Sequence, residues 1–192
     1  PSTARLCLMN LFLHGTGDLK ESPEIEVIDS LIDPPKEKVK IVLANPPFGK
    51  SSTYTITNDE KLSRQEAFIL RNDFWTTTSN KQLCFVQHII SMLDVNGRAA
   101  IVLPDNVLFE GGAGEIIRKK LLEETDLHTI LRLPTGIFYA NGVKCNVLFL
   151  EKKKITKKPS TKEVWFYDYR TNVHHTLKKL PLQFEHLESF LK

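Results

Sequence analysis

The chain has 192 residues, 41% of them apolar, 9% aromatic and 26% charged, with a formal net charge of +3. That length and apolar content suffice for one α/β domain with a real core and exclude a chain disordered throughout. No run approaches the roughly 20 apolar residues that span a bilayer, and the start lacks a signal segment, so a soluble, cytosolic protein is expected. The mild positive charge permits nucleic-acid binding without requiring it. Cys7, Cys84 and Cys145 are odd in number and widely spaced, so they read as reduced packing residues rather than disulfides or a zinc site.

In chain order, residues 3–13 read as a helix that is apolar on more than one side and is ended by His14-Gly15. A short strand candidate at 24–28 leads to Asp29-Ser30-Leu31. Residues 39–44 are apolar except for Lys40 and are read as a strand covered on both faces. Residues 49–79 are polar and aperiodic, a loop of the length that is usually functional or mobile. Leu83, Val86, Ile89, Ile90 and Leu93 then fall at helical spacing, and Asn96-Gly97 is expected to close that helix. A strand at 98–103 ends in Pro104-Asp105-Asn106, and Gly111-Gly112-Ala113-Gly114 leads into a helix at 115–124. Strands are expected at 127–133 and 143–150, around Pro134-Thr135-Gly136-Ile137-Phe138, and again at 164–167, with a last short helix within 182–191. The alternation predicts a doubly wound α/β domain, whose ligands bind outside the carboxyl ends of its strands, where Asn45, Asp105 and Asp29 would lie.

Asn45-Pro46-Pro47-Phe48, directly after the apolar run Ile41-Val42-Leu43-Ala44, carries the most chemistry. An exocyclic amine on an adenine is a poor nucleophile because its lone pair is delocalised into the ring. Acceptors that hold its hydrogens can draw them out of plane. The Asn45 side-chain oxygen and the Pro46 carbonyl are such acceptors, and the prolines fix the backbone that carries them. Phe48 offers a flat face for a base. Chance yields this tetrapeptide on the order of once per thousand chains of this length, which favours the chemical reading over a plain proline turn. Asp33-Pro34-Pro35-Lys36 has a similar outline, lacks the aromatic and follows no clean strand, so it reads as a turn.

Other candidates are weaker. Gly15-Thr16-Gly17-Asp18 follows a helix rather than a strand, and Gly111-Gly112-Ala113-Gly114 serves equally well as a helix entry, so neither is read as a phosphate loop. His14, His88, His128, His174, His175 and His186 lack metal-ligand spacing, and His174-His175 reads as a surface pair. No hydrolase motif stands out. The lysines at 152, 153, 154, 157, 158 and 162 read first as a solvated loop and second as phosphate contacts.

Met9-Asn10-Leu11-Phe12-Leu13-His14-Gly15, residues 42–49, Gly97-Arg98-Ala99-Ala100-Ile101-Val102-Leu103-Pro104, Leu133-Pro134-Thr135-Gly136-Ile137-Phe138 and Asn146-Val147-Leu148-Phe149 occur in the order seen in DNA adenine-N6 methyltransferases. More narrowly, the chain resembles the modification subunit of type I restriction-modification enzymes. The resemblance implies a Rossmann-like sheet that uses S-adenosylmethionine, incomplete in its N-terminal half. It also implies double-stranded DNA as substrate, with a specificity subunit and a restriction subunit as partners. By it, Asn45, Pro46, Pro47 and Phe48 match the catalytic motif, Asp29 matches the acid near the adenine of the cofactor, and Phe138 is the second face around the target base. No metal is implied. Ile28 departs from the family, which usually has Gly there.

Residues 1–155 are expected to be the C-terminal part of the catalytic domain and 156–192 an extension packed on it. The family's glycine-rich cofactor loop and ribose-binding acid lie upstream of the Met-Asn-Leu helix, so the chain reads as a piece of a longer protein. The strand ending at Ala44 would then present an apolar edge. Two other readings stay open: a catalytically silent assembly or DNA-docking module, and methylation of protein glutamine amides, whose enzymes carry a similar motif but typically with Tyr at the aromatic position. The expectation for residues 1–192 alone is that calorimetric titration with S-adenosylmethionine shows no micromolar binding.

Overall fold

The computed structural model of the chain describes residues 2–17, 23–48, 71–138, 142–170 and 173–192. Among these residues five strands form one mixed sheet, in the order β1 (Val39–Ala44), β2 (Leu93–Pro104), β4 (Cys145–Lys152), β3 (Thr125–Leu133) and β5 (Trp165–Asp168). β1 runs parallel to β2 and β3 parallel to β5, whereas β4 is antiparallel to both β2 and β3. The sheet is therefore mixed, where the alternating pattern pointed to parallel pairing.

Helix α2 (Lys81–Met92) links β1 to β2, and α4 (Ala113–Glu124) links β2 to β3. The two helices touch each other and cover one face of the sheet, with a single turn α3 (Asn106–Phe109) beside them. Leu83, Val86, Ile89 and Ile90 of α2 and Ile117 and Leu121 of α4 meet Ala99, Ile101, Leu103, Leu148 and Leu150 in one core. Alternation along β2 explains this, since Ala99, Ile101 and Leu103 share a face. On the opposite face Phe190, in α5 (Glu188–Leu191), lies against Phe149 at 5.7 Å and Tyr167 at 5.3 Å. Among the described residues β1 is an edge strand, and its Ile41 and Leu43 are 60% and 80% exposed.

Local chemistry sets the element ends. Asn80 caps α2 through its side-chain oxygen, which accepts from the Gln82 N–H at 2.9 Å. α1 (Ser2–Leu13) closes with Thr16 N–H donating to Leu11 O and Gly15 N–H to Phe12 O, the paired bonds of a Schellman cap, with Gly15 at φ 73°. Asn96-Gly97 does not close α2. The helix ends at Met92, β2 starts at once, and residues 94–97 bulge out between the Val39–Leu93 and Ile41–Arg98 pairs with Asn96 at φ 63°. The 24–28 segment is not a strand, and Cys7 is exposed on α1, which buries none of its residues; Cys84 and Cys145 are buried as expected.

A guanidinium fastens the 29–33 turn to α2. Arg71, whose side chain is only 3% exposed, donates to Ser30 O at 2.9 Å, to His88 Nδ1 at 2.9 Å and to the Asp73 carboxylate, and lies over the Phe74 ring. Because Arg71 can only donate, His88 Nδ1 must accept, which puts the imidazole proton on Nε2. Burial, with the Arg71 charge second, lowers the His88 pKa to about 4. The Arg71 hydrogen bond chiefly holds Asp73 down to about 2.

Two measurements check this packing. Ile101 is fully buried and its strand partner region includes exposed Leu43. Ile101→Ala should cost about 2–5 kcal/mol in denaturant titration, whereas Leu43→Ala should stay within about 0.5. Unfolded His88 takes its proton below about pH 6.5, folded His88 only below about 4, so protonation favours the unfolded chain. Its contribution to stability is complete above pH 6.5 and is lost as pH falls toward 4, at no more than about 1.4 kcal/mol per unit. His88→Gln should flatten that part of the urea-midpoint profile. The contribution of Asp73 is lost only lower, from about pH 3.8 toward 2.

Candidate active site at the carboxyl ends of the strands

β1 delivers Asn45-Pro46-Pro47-Phe48 to the carboxyl end of the parallel pair, one residue past the register contact of Ala44 with Ile101. Pro46 is buried, Phe48 half-buried and Asn45 exposed. The turn is thus anchored by a proline while the amide faces open space. Two fixed φ angles in succession make such a strand exit stiff without a hydrogen-bonded turn.

The loop after β3 comes to the same place. Phe138 meets Phe48 with ring centroids 5.2 Å apart and planes at 82°, an edge-to-face pair. The two aromatics singled out from the sequence are therefore neighbours, although some 90 residues separate them. A base held between two parallel rings needs centroids about 7 Å apart, twice an ordinary carbon–carbon contact. At 5.2 Å and 82° the rings fill that space themselves.

Beneath the Phe138 loop lies a polar knot that the sequence did not reveal. Arg170, just past β5, forks onto Asp105 at 2.9 and 2.6 Å. Its remaining donors reach Leu133 O at 3.0 Å, Cys145 O at 2.9 Å and Asn146 Oδ1 at 3.2 Å. Fully buried Asn146 in turn donates from Nδ2 to Asp105 Oδ1 at 2.8 Å. Burial alone would push the Asp105 carboxyl up, but the Arg170 and Asn146 hydrogen bonds and nearby arginine charge outweigh it and hold the group below its ordinary value. The Asp105 site noted from strand position is thus a structural anion. Its partners were hidden because nothing in the spacing of Arg170 ties it to a residue 65 positions away.

His175 corrects the surface reading of the histidine pair. It is 5% exposed, stacks on Tyr169, and is held at Nδ1 by Leu180 O and at Nε2 by the Tyr169 hydroxyl. Its carbonyl sits where a Gly136 side chain would be: a Cβ there would lie 2.3 Å from His175 O, and Gly136 has φ +88°. Only glycine suits that crossing.

Asp29 opens a separate turn, with its Oδ1 accepting from Leu31 N–H at 3.1 Å and its carbonyl accepting from Ile32 and Asp33 N–H. It is half-buried, and Leu31 beneath it is fully buried against Cys84, Phe74 and Phe85. The lysine-rich segment leaves from the other end of the sheet. Lys152 pairs with Thr125 at the start of β3, Lys153 N–H donates to Glu124 O, and Ser160 and Thr161 N–H cap the last carbonyls of α4. That segment is a loop on the helix end, remote from Asn45. Gly112, at φ 59°, forms the entry to α4. Most of the 49–79 loop, residues 49–70, lies outside the described residues, as does Asp18 of the first glycine cluster.

Comparison with known proteins agrees with this arrangement. The family model described as N-6 DNA Methylase matches residues 1–192. The methylase subunit of the type I restriction enzyme StySJI from Salmonella typhimurium is 47% identical over 99% of the chain and 35% of its own length. The EcoKI methylase subunit from Escherichia coli is likewise 47% identical, with the same coverage. In three dimensions the crystal structure of the EcoKI M protein superposes with a TM-score of 0.77 at 46% identity, covering 99% of this chain and 38% of that one. A type I methyltransferase subunit from Streptococcus thermophilus gives 0.74 at 29% identity, covering 99% and 39%. The chain spans about a third of the length of the curated relatives it matches. With a family model matched from end to end and a fold that superposes on a solved methylase subunit at 46% identity, the chain belongs to the N-6 DNA methylase family.

Proposed function

We propose that the protein carrying this chain transfers a methyl group from S-adenosylmethionine to adenine N6 in double-stranded DNA, as the modification subunit of a type I restriction-modification system. The observation that supports it most is the meeting of Asn45-Pro46-Pro47-Phe48 with Phe138 at the carboxyl end of β1, in a chain of the N-6 DNA methylase family. A specificity subunit and a restriction subunit are its partners in this reading, and the first supplies sequence recognition.

The target adenine leaves the duplex at a cost of a few kcal/mol, which pocket contacts offset. Asn45 Oδ1 and the Pro46 carbonyl accept the two hydrogens of the exocyclic amine and turn its lone pair outward. Phe48 stacks on the ring, a contact worth about 1–3 kcal/mol. For this to happen Phe138 gives up its edge contact and becomes the second wall. S-adenosylmethionine, when bound, would supply an electrophilic sulfonium methyl: bonding of that methyl to the oriented N6 breaks its bond to sulfur and releases the neutral thioether, after which N6 loses one proton to solvent. Asp29 suits the cofactor's adenine amino group: its carboxylate takes one backbone N–H here, and a carboxylate has about four acceptor sites. Positioning rather than strong acid or base chemistry carries the rate.

The test is methyl incorporation into unmodified DNA by the full-length protein with its specificity partner. Asn45→Ala should lower turnover by about 100-fold or more while DNA affinity changes by less than about threefold. Equal loss of both would mark Asn45 as structural, and labelling of protein glutamine instead of DNA would replace the substrate.

A further inference from the structure

Four segments distant in sequence converge under Phe138, and they do so through one guanidinium and one carbonyl. Arg170 Nε donates to Leu133 O, the last strand carbonyl before the Phe138 loop, and Nη2 donates to Cys145 O, the first after it. The same guanidinium is clamped onto Asp105, just past the end of β2, the strand that pairs with β1, whose last paired residue Ala44 precedes Asn45. Asp105 N–H also donates to Lys144 O at 2.9 Å, closing the loop's return. Further out, the backbone of His175 crosses Gly136, two residues before Phe138, at a distance that leaves no room for a Cβ. The His175 ring is itself fixed by Leu180 and Tyr169, so this crossing segment is held from its own side.

We infer that Arg170 and His175, both from the segment after β5, are positioning residues: the Asp105–Arg170 clamp and the His175 crossing set where the Phe138 ring sits relative to Phe48. Neither touches the reacting atoms. A lysine at 170 keeps the charge and loses the fork, so it can answer Asp105 or the loop carbonyls but not all of them. The inference rests on the base-pocket reading of Phe48 and Phe138 for its consequence in turnover, and on geometry alone for the ring position.

The experiment uses the full-length protein with 4-fluorophenylalanine at position 138, read by fluorine NMR and by methyl incorporation with the specificity partner. Phe48→Leu calibrates the signal, since it removes the neighbouring ring. Arg170→Lys and Gly136→Ala should each shift or split the fluorine line and lower kcat about 10–100-fold, with KM for DNA changed less than about threefold. A line that stays put in either variant overturns the inference. Loss of the folded state in both, seen by circular dichroism, overturns it too, because the contacts would then hold the fold and not the ring. A moved line with unchanged turnover keeps the clamp and removes the base-pocket reading instead.

Discussion

The insertion of β4, antiparallel, between β2 and β3 is the constraint from which the site follows. Its ladder to β2 runs from Arg98–Glu151 to Pro104–Cys145, and its ladder to β3 from Thr125–Lys152 to Leu133–Cys145. A strand that enters the sheet at its carboxyl edge forces the chain between β3 and β4 to turn there. That turn carries Phe138, and β1 ends beside it. Parallel continuation would have sent the same connection back along a helix to the opposite edge, leaving Phe138 elsewhere. The central position of β4, with Leu148 and Leu150 buried, makes this register hard to slip, because a one-residue shift would turn both side chains to the other face.

Two arginines perform the same service on either side of the candidate site. Arg71 gathers Ser30 O, His88 and Asp73 and so holds the turn that presents Asp29. Arg170 gathers Leu133 O, Cys145 O and Asp105 and so holds the loop that presents Phe138. In each case an always-charged, five-donor planar group satisfies carbonyls that leave regular structure, while a carboxylate meets its charge. Loops stitched to the sheet in this way can lack hydrogen bonds of their own and still keep a fixed course.

Much of the fold was readable because hydrophobic period and strand exits are local properties. The apolar run ending at Ala44, the α2 stripe and the strands on either side of Pro134 all lie where the pattern put them, with ends shifted by one or two residues. The direction of β4 was not readable, since Cys145–Lys152 alternates equally well in either orientation. Asn96-Gly97 misled for a related reason: a left-handed residue followed by glycine serves a helix cap or a bulge alike, and only the pairing with Val39 and Ile41 decides. Of the candidate site, the tetrapeptide stood out through its chemistry, and Phe138 only through the family resemblance. Arg170, Asn146 and His175 were not, because an arginine, an amide and a histidine announce nothing until the chain brings carbonyls to them.

The edge-to-face contact of Phe48 with Phe138 has a consequence for what such a cleft admits. An aromatic pair of this kind is worth about 0.5–1.5 kcal/mol beyond its buried area, and a stacked base about 1–3. In the proposed reading, a flat heterocycle that stacks on Phe48 offsets the loss of this edge contact, so Phe138 acts as a placeholder for the base and the space between the rings need not stand open between visits.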